Sequence, residues 1–185
     1  MKQFDFQAEL KKIIDAKQLV EIFLHGAPTY KVAYLLNANN DYLTFAEVSS
    51  SALFSGVIIC NLSDVDWIGV ETPYLGELAK QIVDDSVYKQ ATEDIKNIKE
   101  FSFKGFVSAF VDTKRIVEIT DEDETVTAGR VLNQDDKVLV FDEYSAENTR
   151  KLARMFFNKN SIIRIAIDVP WLRTIERFLE DKNIQ

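Results

Sequence analysis

Histidine, cysteine, proline and glycine are all scarce in this 185-residue chain: one His, one Cys, three Pro and six Gly. A single histidine, His25, excludes His-based metal clusters and paired-His catalysis. A lone cysteine, Cys60, cannot close an internal disulfide, which fits a reducing cytoplasm. Glycines 26, 56, 69, 76, 105 and 129 never approach G-x-G-x-x-G or a phosphate-cradling loop, so nucleotide-fold readings fall away. Cations are in deficit too: 22 Lys and Arg face 30 Asp and Glu, a formal charge of −8. That deficit weighs against a broad phosphate-binding surface, which needs clustered Lys and Arg. Long apolar runs are missing. The longest uncharged stretch, Val48–Ser63, is broken by serines and a glycine and is too short to span a bilayer. The charged N-terminal stretch has no apolar signal core.

What is present is a folded composition, 46% hydrophobic with 28% charged residues, and a self-similar one. Lys2–Ile22 aligns with Lys99–Ile119, matching Phe4 with Phe101, Phe6 with Phe103, Asp15 with Asp112, and Val20-Glu21-Ile22 with Val117-Glu118-Ile119. Further along, Leu36-Asn37 matches Leu132-Asn133, and Glu71-Thr72-Pro73-Tyr74-Leu75 matches Asp168-Val169-Pro170-Trp171-Leu172. The expected organisation is a first repeat over 1–83, a helical connector over 84–98 and a second repeat over 99–185.

Each copy reads as a helix, five short strands and a trailing helix. Phe6, Leu10, Ile13 and Ile14 share one helical face, as do Phe103, Phe106, Phe110 and Val111. Strands are expected at Leu19–Leu24, Tyr30–Asn37, Tyr42–Val48, Gly56–Asn61 and Val65–Glu71. Their counterparts are Ile116–Thr120, Val126–Leu132, Val138–Tyr144, Leu152–Phe157 and Ile162–Asp168. Alternation gives the last of these a buried face at Ile163, Ile165 and Ile167 and a wetter one at Arg164, Ala166 and Asp168. Asn37–Asn40 and Asn133–Asp136 read as turns. Pro73 and Pro170 suit a first helical turn, Thr72 suits a cap, and Asp84-Asp85-Ser86 reads as a break before the connector helix.

Val20-Glu21-Ile22-Phe23-Leu24-His25-Gly26, and Gly129 followed six residues later by Asp135, resemble the first strand and the glycine–aspartate pair of the Sm/LSm family. The resemblance implies an α+β protein of two tandem Sm-like domains. Each would have an N-terminal helix, a five-stranded strongly bent antiparallel sheet and a trailing helix. Such small sheets expose strand edges, which invite self-association. The family's base-holding asparagine is replaced by Leu43 and Leu139, and its Arg-Gly or Lys-His element by Asn61–Asp64 and Asn158–Asn160, so no base-binding residue carries over.

Among candidate chemistry, His25 reads as a solvated turn residue, and Cys60 as strand core within Val57–Cys60. Asp121–Glu124 reads as a hairpin tip, and Trp67 and Trp171 as core or interface residues. Arg150, Lys151, Arg154 and Lys159, with Phe156 and Phe157 interleaved, are the one candidate nucleic-acid contact. No catalytic constellation, metal site or cofactor fingerprint is legible. The sequence favours a non-enzymatic cytoplasmic binding or assembly module of bacterial or phage type. It would partner itself through strand edges, or another protein, and no membrane. An Sm-like RNA-binding protein with a degenerate site is the second reading, and an enzyme with a scattered site the third.

Overall fold

A computed structural model of the protein describes residues 5–83, 85–145, 147 and 149–182. The expectations placed on Phe4 and Asp84 lie outside these residues. The chain divides into two compact units, Met1–Lys96 and Asn97–Gln185.

In the first unit, helix α1 (Phe6–Asp15) starts where the Asp5 carboxylate accepts from the Ala8 amide at 3.1 Å. It buries Leu10 and packs against strand β2. Strands β1 (Leu19–Leu24), β2 (Lys31–Ala38), β3 (Tyr42–Val48), β4 (Phe54–Asn61) and β5 (Val65–Val70) follow. The Asn-rich turn works through one side chain. Asn39 Oδ1 accepts from the amides of Asp41 and Tyr42 at 2.9 and 2.8 Å, reversing the chain from β2 into β3. Helix α2 (Pro73–Ala79) is capped by Thr72, whose Oγ1 accepts from the Leu75 amide at 3.3 Å and donates to Glu21 at 2.7 Å. Replacing Thr72 with alanine removes both bonds and is expected to cost about 1 kcal/mol, read as a lower urea midpoint. An unchanged midpoint would show that the cap contributes nothing. Helix α3 (Ser86–Ile95) buries Val87, Ala91 and Ile95. It packs against β3 and β4, with Tyr88 edge-on to Tyr34 at 6.0 Å.

The second unit runs α4 (Phe103–Ser108), β6 (Val117–Asp121), β7 (Val126–Gln134), β8 (Val138–Tyr144), β9 (Lys151–Asn158), β10 (Ile162–Ile167) and α5 (Pro170–Lys182). Asp135 repeats the side-chain turn, accepting from the Lys137 and Val138 amides, both at 2.7 Å. A half-buried ionic group supports the start of α5. Arg173 grips Asp168 with two bonds of 2.9 and 3.0 Å, Arg115 reaches Glu176 at 3.2 Å, and Glu176 accepts from the Ile116 amide at 2.7 Å. Burial pushes the Glu176 carboxyl above its ordinary range, against the opposing pull of the Ile116 amide and Arg115. Asp168 is thereby buried, and so is Ala166, so β10 has no wet face as the alternation had suggested.

The ladder overturns the expected fold class. The ten strands form one open antiparallel sheet in the order β5-β1-β2-β3-β4-β10-β6-β7-β8-β9. The reading of two tandem Sm-like domains, each with its own five-stranded bent sheet, is therefore withdrawn. The self-similar segments do share ladder register: Val20 faces Ala33 in β1–β2, and Val117 faces Gly129 in β6–β7. Alternation places strands along a chain, but which strands become neighbours is decided by tertiary packing.

Candidate functional site

A sheet that does not close has two outer strands, and here they are β5 and β9. Such strands present unpaired backbone donors and acceptors along one side. Both carry large exposed apolar side chains. On β5, Trp67 is 43% exposed and Val70 is exposed beside it. On β9, Phe156 is 69% and Leu152 58% exposed.

The alternation of β5 serves two faces. Trp67 stacks on Phe23 of β1 with ring centroids 5.6 Å apart and planes within 9°. Tyr30 lies 6.3 Å from Trp67 and 6.2 Å from Tyr74, so four aromatic rings make one half-exposed patch. Ile68 and Val70 instead line a groove of about 510 Å³ with Phe6, Leu10 and Ile13 of α1, rimmed by Glu9, Lys12 and Glu71. Burial and offset stacking make such rings strong contact residues at interfaces.

β9 is held by β8. Phe157 meets the buried Phe141 edge-on at 5.7 Å, and the outer face carries Arg154 opposite Asp142. Asp142 is only 8% exposed and takes two bonds from Arg154, at 2.9 and 3.3 Å, and one from Lys151 at 2.5 Å. The Arg154 guanidinium holds its carboxyl below the ordinary range, with Lys151 adding to the effect against the cost of burial. A depressed folded pKa contributes stability that is complete above the unfolded value, about 3.9, and is lost as pH falls through the folded value. Asp142→Asn should accordingly lose less stability than the native protein between pH 5 and pH 2. The readout is the urea midpoint at both pH values, and equal losses would contradict the assignment.

The candidate nucleic-acid group is thus distributed over one strand and its ends, with much of its charge engaged. Lys151 and Arg154 are committed to Asp142, and Lys159 donates to the Asp135 carbonyl at 2.5 Å. Burial lowers the Lys159 pKa, with Lys104 nearby acting in the same direction. Arg150 is exposed just before the strand. Met155 is 36% exposed.

The remaining candidates sit apart. His25 is exposed, its Nδ1 3.3 Å from Asp66. Cys60 is buried in β4. Asp121 folds its own hairpin tip, accepting from the Asp123 and Thr125 amides at 3.1 and 2.9 Å. Trp171 donates to Glu118 at 3.0 Å. Among the described residues, no three His, Cys, Asp or Glu side chains are grouped to hold a metal, and no helix is long and apolar enough to cross a membrane.

The aromatic patch around Trp67 was not singled out from the sequence. Phe23, Tyr30, Trp67 and Tyr74 are scattered along the chain, and only the β1–β5 pairing joins them.

No family model and no curated protein matches the chain. Among solved structures it is similar to the crystal structure of YcgR in complex with c-di-GMP from Escherichia coli. The two are 10% identical over 95% of this chain and 88% of that one, with a TM-score of 0.19. A score that low carries no argument about fold or ligand.

Proposed function

We propose that this protein is a non-enzymatic assembly module of the cytoplasm that associates with further copies of itself through its outer strands. The observation that carries this reading is the coincidence of open backbone with exposed apolar side chains. β5 and β9 end the sheet order, and both display large exposed hydrophobic residues beside their charged ones. β-Strand addition supplies main-chain hydrogen bonds for affinity, and alternate side chains supply specificity. The groove beside Ile68 and the ring of Trp67 would receive such alternate side chains.

The test is sedimentation velocity of the full chain over a wide concentration range. The expected result is a mass that rises above the 21.2 kDa of one chain as concentration increases. A single 21.2 kDa species at every concentration would overturn the reading.

RNA ranks behind self-association because the basic group is partly spent on Asp142 inside an acidic chain. Labelled single-stranded RNA titrated at two salt concentrations is expected to show no tight binding. Micromolar binding that weakens with salt and is lost in Arg154→Glu would favour the RNA reading instead.

A further inference from the structure

The stacked rings of Phe23 and Trp67 share their sheet face with a carboxylate. Across the β1–β5 ladder Phe23 faces Trp67 and Glu21 faces Gly69, and two-residue spacing puts all four on one side. Glu21 is only 8% exposed. Its Oε1 accepts from Thr72 at 2.7 Å, while among the described residues no donor reaches Oε2. A Cβ added at Gly69 would lie 3.2 Å from Cζ3 of Trp67 and 3.3 Å from that oxygen, so the missing side chain lets the carboxylate border the rings. A buried acceptor left unused is costly, which makes it a place for a donor from outside.

The second unit builds the same strand pair and closes this feature. There Thr120 faces Arg164 and Glu118 faces Ala166, so no stacked rings form and a methyl group occupies the space. Glu118 Oε2 is already engaged, taking the indole N–H of Trp171 at 3.0 Å. Neither the rings nor the glycine is therefore required by the fold. We infer that Glu21, Trp67 and Tyr30 form a binding site for a guanidinium group, carried by an arginine side chain or by a free guanidino compound.

The chemistry selects this class of ligand. A planar guanidinium lies against exposed indole and phenol faces and points N–H groups at a carboxylate in the same plane. Charge-assisted bonds of that kind are the strong ones. Rings of this sort also stack nucleobases, but a phosphate would meet Glu21 and a stretch, residues 64–74, that has Asp64, Asp66 and Glu71 and no Lys or Arg. Lys31, next to Tyr30 in sequence, is held by Glu47 at 2.8 Å. The site does not depend on copies associating.

Nuclear magnetic resonance of the 15N-labelled full chain tests it, because the indole N–H signals of Trp67 and Trp171 report the site and a control. N-acetylarginine amide is expected to shift the Trp67 signal saturably at millimolar concentration and to leave Trp171 unmoved. N-acetylcitrulline amide, nearly the same shape without the charge, should bind roughly tenfold or more weakly. Agmatine is the free-compound arm: either cation binding supports the site, and the tighter one identifies the source. Glu21→Gln, which keeps the acceptor for Thr72, and Gly69→Ala, which copies the second unit, should each weaken binding roughly tenfold or more while far-UV circular dichroism stays native.

No saturable Trp67 shift with either cation would overturn the inference. Equal binding of the citrulline compound would reduce the patch to apolar contact, and undiminished binding by Glu21→Gln would remove the carboxylate's part; both count against it. Should one variant fail to fold, the citrulline comparison on the native chain still decides. Sedimentation of the same samples reports association separately, so failure of either reading leaves the other standing.

Discussion

Replacing Gly129 with valine is expected to unfold the second unit, with a loss of about 3 kcal/mol or more. This glycine sits in β7 opposite Glu143 and is needed for space. A Cβ added there would lie 2.2 Å from the Asp142 carbonyl oxygen and 2.5 Å from Cε1 of Phe141. The first neighbour is backbone and cannot swing away, so the ladder itself must shift. Overpacking a well-filled core ordinarily costs roughly 1–3 kcal/mol, and a clash with main chain stands at or beyond the top of that range. The aligned position in the first unit is Ala33, which is fully buried and already carries a Cβ. Amide exchange provides the check. Protection should vanish across β6–β8 in Gly129→Val and persist in β1–β3. Native protection throughout would contradict the packing argument.

The next largest effect is expected from Phe141→Ala. Phe141 is fully buried, lies over the Gly129 backbone and meets Phe157 edge-on at 5.7 Å. Removing a buried phenylalanine ring costs roughly 3–5 kcal/mol, combining lost transfer energy with an unfilled cavity. The change also releases the aromatic contact that helps anchor β9 to β8, so it should weaken self-association beyond its effect on stability. A urea midpoint within experimental error of the native value would show that the core does not depend on this ring.

Local structure was legible in the sequence where short-range chemistry decides it. Leu19–Leu24, Tyr42–Val48 and Val138–Tyr144 are strands at the limits that alternation and turn residues indicated, and Thr72 caps its helix. Strand partners were not legible, because hydrogen-bonding neighbours are chosen by packing between distant segments. The Sm-like reading failed at that level: it supplied two separate sheets where the chain has one ordered run of ten strands. Side-chain environment was partly hidden for the same reason. Asp168 reads as a solvated residue of a wet strand face, yet it is buried beneath Arg173 and Arg115, which pair with its carboxylate. Arg154 looked like a phosphate contact until β8 placed Asp142 beside it.

Hydrogen–deuterium exchange at low and high protein concentration tests the central claim most directly. If outer strands carry the assembly, amides of Val65–Val70 and Lys151–Asn158 should gain protection together as concentration rises, while other outer-surface segments stay unchanged. Exchange at both strands that is independent of concentration, while sedimentation shows larger species forming, would contradict it.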